Sequence, residues 1–152
     1  MLTVAAVSAW LGIMAFFSFV ATPMLFRTME RSVAGDAAAA VLPGYYASGV
    51  LLGGLALLGL GLRLASRQAR WGRNVLATAL TAAMLGLVLW SLAVVLPAAQ
   101  AARSAGDSTR FALAHRRAVS LNSVTMLCAV LILGLEAVNR RREDPSATPS
   151  AV

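Results

Sequence analysis

The chain has 152 residues, of which 59% are hydrophobic and 12% are charged, and its mean hydropathy is +0.77. Because soluble domains carry about 25% charged residues, this composition excludes an ordinary soluble protein and indicates one integral membrane domain. The net charge of +7 comes from arginine alone. These arginines stand at the ends of apolar runs, as membrane anchors do, and a basic nucleic-acid face with interleaved aromatic residues is absent. We expect the lipid bilayer as a partner, and no nucleic acid.

Four charge-free windows predict four membrane-spanning helices. A helix needs about 20 apolar residues to cross a hydrocarbon core of roughly 30 Å, and lipid leaves helices as the plausible spans here. We predict an all-α membrane bundle with up-down topology, in which Pro43 and Pro97 shorten the second and third spans. The predicted helices are 2–26, 44–65, 74–96 and 117–138. They form one domain, residues 1–139, followed by a basic and then disordered tail at 140–152.

The second predicted span carries glycines at helical spacing. Gly49 and Gly53 are four residues apart, and such small residues let membrane helices approach closely. This face predicts tight packing, either against the first or third helix of the same chain or against a second copy or another membrane protein. Pro23 and Pro43 are further predicted packing residues.

Arginine counts bear on the orientation of the chain. Four spans place both termini on one side, with seven arginines: Arg63, Arg67, Arg70, Arg73, Arg140, Arg141 and Arg142. The opposite side has six: Arg27, Arg31, Arg103, Arg110, Arg116 and Arg117. Because the seven are more tightly clustered, the positive-inside rule favours cytoplasmic termini.

The polar side chains near the spans collect on the side opposite the termini. The spans hold no acidic residue before Glu136 and no basic residue at a midplane, which argues against a pump or a proton-coupled carrier. The predicted ligand rim consists of Arg27, Tyr45, Tyr46, Arg110, His115 and Asn122. His115 and Asn122 are seven residues apart and share a helix face, so we expect Asn122 to bond to another helix or to His115. An ordinary aromatic belt and snorkelling arginines remain the alternative explanation.

His115 is the only histidine and hence the candidate ligand for a metal or haem. The methionines form no cluster of the kind that Cu(I) favours. Cys128 is the only cysteine, which excludes an internal disulfide and a cysteine-based zinc site. The chain has no Ser–His–Asp set and no glycine-rich phosphate loop, so we predict that it is not an enzyme.

Three segments carry a family resemblance: FFSFVATPMLFRTMERSVAG, LPGYYASGVLLGG and RFALAHRRAVSLN. In this order they resemble the TMEM205-like domain, which is called DUF4149 in bacteria, over about residues 8–138. The matching positions are Phe19, Pro23, Phe26, Gly35, Pro43, Tyr45, Tyr46, Arg110, Phe111, His115 and Asn122. Three residues after the histidine the family often has serine, and this chain has Ala118, which puts a mechanism with a hydroxyl there in doubt.

The resemblance implies a four-helix protein of the bacterial cytoplasmic membrane and assigns it no reaction. Animal relatives are associated with drug and platinum tolerance and with membrane trafficking. The fold is similar to copper-resistance D and haem-binding four-helix membrane proteins. Three functions stay open: a small-ligand-binding, lipid-binding or transport-accessory protein with a polar rim, a haem or copper protein that uses His115, and a structural subunit of a larger membrane complex.

Overall fold

The computed structural model describes residues 1–65 and 71–143, and the elements in these ranges are all helical. In chain order they are α1 (Leu2–Phe16), a π-helical turn (Phe17–Ala21), α2 (Thr22–Thr28), α3 (Arg31–Ala65), α4 (Trp71–Trp90), a second π-helical turn (Ser91–Val95), α5 (Leu96–Ser104) and α6 (Ser108–Glu143). Four continuous helical stretches are long and apolar enough to cross a membrane: Leu2–Thr28, Arg31–Ala65, Gly72–Ser104 and Ser108–Val138. The predicted all-α bundle with four spans is confirmed. The part of the predicted tail that follows residue 143 lies outside the described residues.

The four spans form an antiparallel bundle. The helix α1 packs against α3 and α6, and α4 packs against the same two helices. The Thr3 hydroxyl donates to the Ala56 carbonyl at 3.4 Å, and Arg63 is 2.6 Å from Glu136, so the start of α1 and the ends of α3 and α6 lie together. We call this the terminal end. The opposite loop end holds the two short connections, residues 29–30 and 105–107.

The helices extend further at the loop end than the sequence predicts. The predicted helix ends at Pro43 and Pro97 were wrong, since Pro43 lies inside α3 and Pro97 lies in the first turn of α5. The flanking alanine-rich segments are strong helix formers. A proline in a first helical turn, such as Pro97, costs little helix stability. At 35 residues, α3 is about 52 Å long, well beyond a hydrocarbon core of roughly 30 Å. The start of α3, α5 and the start of α6 therefore form a helical loop-end extension.

Two π-helical turns interrupt the first and third spans, and a proline follows each of them. The turn Phe17–Ala21 begins six residues before Pro23 (23 − 17 = 6), and Ser91–Val95 begins six residues before Pro97 (97 − 91 = 6). Proline lacks an N–H, and its ring clashes with the carbonyl four residues earlier. A π turn, which contains one extra residue, relieves that clash without ending the helix.

Tryptophan and glycine form the centre of the packed core. Trp10 is 2% exposed, and a Cβ added at Gly49 or at Gly53 would lie 3.0 Å from an atom of its ring. At Gly59 an added Cβ would lie 2.7 Å from the Thr3 hydroxyl. The space in front of the predicted glycine face is therefore filled by the first span of the same chain. In this structure Gly49 and Gly53 present no open surface to a partner.

Candidate functional site

A cluster of polar side chains crosses the bundle near the loop end, with Asn122 at its centre. The Tyr45 hydroxyl donates a hydrogen bond to Asn122 Oδ1, and Asn122 Nδ2 donates to Ser18 Oγ at 3.0 Å. The expectation that Asn122 bonds to another helix is confirmed, and its partners come from two different spans. Asn122 lies five residues beyond Arg117 on α6, so it is about 7 Å further along the helix axis and inside the apolar stretch.

Tyr46 and Ser91 complete this polar cluster of five residues. Tyr46 is 8% exposed, and the Ser91 side chain lies beside its hydroxyl. The Tyr45 ring lies 5.0 Å from the ring of Phe17 and 5.3 Å from that of Tyr46. All four spans therefore contribute to the cluster, and each π-helical turn supplies one of its serines.

The members of the polar cluster bond mainly to one another. Within the described residues, every buried side-chain nitrogen or oxygen has a hydrogen-bond partner. The cluster contains hydroxyl and amide groups and no carboxylate or amine, so it offers a means of joining helices and no acid–base pair. Sequence reasoning missed Ser18 and Ser91. Their signal is positional, because each serine precedes a proline by five or six residues in FSFVATP and SLAVVLP.

Three predicted rim residues lie on the outer surface of the loop end, apart from this cluster. Arg27 and His115 are exposed, and the His115 ring stacks on that of Phe111 with 6.1 Å between centroids. Arg110 pairs with Asp107 across 3.3 Å. The structure thus brings Tyr45, Tyr46 and Asn122 together and places the two arginines and the histidine elsewhere.

The residues around His115 do not fit a haem or copper centre. Among the described residues, no group of three or more histidine, cysteine, aspartate or glutamate side chains could hold a metal ion. Met126, a thioether in the fourth span, lies 3.7 Å from the Asn122 amide nitrogen and belongs to the surroundings of the polar cluster. A single exposed imidazole does not by itself hold such a group tightly.

Arg103 joins the start of α3 to α5. One guanidinium nitrogen lies 2.5 Å from the Asp36 carboxylate, and the group donates to the carbonyls of Gly35 at 2.9 Å and Ser32 at 3.3 Å. A Cβ at Gly35 would lie 3.2 Å from this guanidinium, so glycine leaves room for the contact. The sequence analysis used Arg103 only as one of the six arginines on the side opposite the termini. In the structure, Arg103 holds α5 against the start of α3.

A surface groove of about 540 Å³ lies between α5 and α6 in the loop-end extension. Three alanines of α5 and one of the following connection form one wall: Ala98, Ala101, Ala102 and Ala105. Leu113 and Ala114 of α6 form the other, and the polar side chains along the groove are Asp107, Arg110 and Arg117. The antiparallel order of the helices places Asp107 and Arg110 at the outer end and Arg117 at the end nearer the membrane.

The two arginines of the groove differ in their partners. One Asp107 oxygen accepts the backbone N–H of Arg110 at 2.9 Å, and the other lies 3.3 Å from its guanidinium. Asp107 therefore caps α6 and offsets the charge of Arg110. Within the part of the chain that the structure describes, Arg117 has no such partner, and the charge-free stretch of α6 begins at the next residue. The groove thus carries its uncompensated positive charge beside the start of this charge-free stretch.

The chain is similar to known proteins along most of its length. A domain of unknown function, DUF4149, matches residues 5–108. An uncharacterized protein of Aquifex aeolicus (strain VF5) is 41% identical over 56 residues, which are 37% of this chain and 42% of that protein. The match therefore covers less than half the length of the relative. No solved structure matches the chain.

Proposed function

This chain belongs to the DUF4149 family, and we propose that it is a membrane binding or transport-accessory protein that holds an amphiphilic ligand at its loop end. The family description assigns no activity, so the proposal rests on the geometry of this chain. The relation to the TMEM205-like domain remains a prediction.

The groove between α5 and α6 is the single observation that carries the proposal. Its volume of about 540 Å³ is in the range of ligand pockets, about 300–1,000 Å³. Its walls are small and apolar, and it has charged groups at both ends. It also begins where the apolar stretch of α6 begins, which is where the headgroup and the chains of an amphiphile meet.

The composition of the spans favours binding over ion transport. Glu136, near the end of the fourth span, is paired with Arg63 at 2.6 Å, and the polar cluster holds only neutral groups. Ion-coupled carriers use ionisable side chains at membrane depth. We further propose that both termini lie in the cytoplasm, in accord with the seven arginines that the sequence assigns to the side of the termini; this would place the groove on the outer face.

A groove-filling variant tests the proposed function. Ala101→Phe puts a ring into the groove, whereas Ala112→Phe adds the same ring to an exposed position of α6 that does not line it. Native mass spectrometry of the detergent-purified proteins would measure the lipids that each retains. We expect one retained amphiphile per chain in the wild type and in Ala112→Phe, and none in Ala101→Phe. Equal retention in both variants, or none in the wild type, would overturn the proposal.

A further inference from the structure

We propose that the α5–α6 groove binds the headgroup of an anionic lipid, and that Arg117 is the residue that contacts its phosphate. This inference rests on the proposed function and specifies the class of ligand. It commits to an occupant that is both anionic and anchored in the bilayer.

The charge of the groove selects an anion. Arg110 and Arg117 contribute two positive charges and Asp107 one negative charge, so the lining has a net charge of +1 (2 − 1 = 1). Since Asp107 already pairs with Arg110, Arg117 is the guanidinium available to an incoming ligand. A guanidinium binds phosphate or carboxylate through two parallel hydrogen bonds, which are stronger than bonds between neutral groups.

The position of Arg117 selects a lipid over a free anion. The residue lies directly before the charge-free stretch 118–135, and its flexible side chain keeps its charged head at the level of the lipid headgroups. A phosphate held there would have its acyl chains in the bilayer beside α6. The substituent beyond the phosphate would extend along the alanines of α5 toward Asp107 and Arg110.

The alanine wall provides the room that this headgroup needs. Ala98 and Ala101 of α5 stand opposite the membrane-side part of α6, and their methyl groups allow a ligand to approach the helix closely. Arg103 holds this wall through its contacts with Asp36 and Gly35. The groove is therefore a formed feature of the fold, with one wall fixed to α3.

Lipid titration of arginine variants tests the inference. The detergent-purified full chain would be titrated with phosphatidylglycerol and with phosphatidylcholine of the same acyl chains, and bound lipid would be counted by native mass spectrometry. Both lipids carry a phosphate, but the choline cation of phosphatidylcholine makes its headgroup neutral overall and is repelled by the guanidinium. We therefore expect the wild type to prefer phosphatidylglycerol about tenfold, the order of effect of one interaction with a charged group. Arg117→Gln should remove that preference, because it should weaken phosphatidylglycerol binding about tenfold and phosphatidylcholine binding, whose choline cation already offsets the phosphate charge, by less.

Two further variants make the assignment specific. Arg110→Gln should weaken phosphatidylglycerol binding by only about twofold, because Asp107 already offsets its charge. Arg116→Gln, at an exposed neighbouring position outside the groove, should have no effect. An equal loss in all three variants would mean that general surface charge attracts the lipid, and this would overturn the assignment of Arg117.

The remaining outcomes distinguish a bound lipid from a free anion. They also distinguish failure of this inference from failure of the proposed function. Inorganic phosphate should not displace phosphatidylglycerol, and displacement at millimolar phosphate would identify a free-anion site instead. If Ala101→Phe removes both lipids while Arg117→Gln changes neither, the proposed function stands and this inference fails. If neither variant changes lipid binding, both proposals fail. A second polypeptide or a second copy of the chain retained in the groove in place of lipid would also overturn them.

Discussion

The terminal half and the loop half of the bundle join the same four spans by different means. Toward the terminal end, helices approach closely because glycines of α3 face Trp10 and Thr3. Toward the loop end, the helices are irregular, with two π-helical turns, and side-chain hydrogen bonds through Asn122 join them. Close packing needs no polar group, whereas helices that depart from α geometry leave room for side chains to reach across. Ligand binding is therefore expected at the loop end, where π turns so often mark functional sites.

The largest expected effect comes from filling the glycine contact of the terminal half. Gly53→Leu forces a side chain against Trp10 and Leu85, to which even a Cβ would lie 3.0 Å and 3.2 Å distant. We expect a loss of about 3 kcal/mol in the free energy of unfolding, at the upper end of the usual cost of overpacking. Steric-trap or thermal unfolding in detergent would measure it.

Gly54→Leu is the matched control, because an added Cβ at Gly54 meets nothing within 4 Å. It should change stability little. Similar losses in both variants would show that helix propensity and general bulk, and not the contact with Trp10, determine the result.

A smaller effect is expected in the loop half, from Asn122→Leu. This change removes the acceptor of the Tyr45 hydroxyl and the donor to Ser18. Side-chain hydrogen bonds between membrane helices contribute about 0.6 kcal/mol on average and at most about 1.7, so we expect a loss of about 1–2 kcal/mol. The same unfolding measurement applies, with Ser123→Ala as control, since Ser123 is exposed and, among the described residues, bonds only to the Val119 carbonyl of its own helix. If Asn122→Leu lost as much free energy of unfolding as Gly53→Leu, this would contradict the expectation that the glycine contact stabilises the bundle more than the polar cluster does.

The sequence predicted the spans well because charge and hydropathy act locally. It also predicted close packing at the glycines and a hydrogen-bond partner for Asn122. Both predictions follow because empty space between helices and an unpaired amide in lipid each cost free energy. It placed helix ends at Pro43 and Pro97 because proline is usually a helix breaker. In the structure, α3 continues through Pro43, and a π turn takes up the distortion before Pro97. The pairing of Arg103 with Asp36, 67 residues apart (103 − 36 = 67), depends on tertiary structure and left no local signal.

His115 should show the smallest effect, although it was the strongest single candidate in the sequence. Its ring is exposed and stacked on Phe111, outside both the glycine contact and the polar cluster. His115→Ala should therefore change the free energy of unfolding by less than about 0.5 kcal/mol, as surface substitutions usually do. Because the described residues contain no group of three or more histidine, cysteine, aspartate or glutamate side chains that could hold a metal ion, we expect the absorption spectrum and metal content of the purified protein to be the same before and after the change. A Soret band or near-stoichiometric copper that disappears in His115→Ala would instead show that the outer surface of the loop end carries a cofactor. In that case His115, and not the groove, would be the functional centre of the molecule.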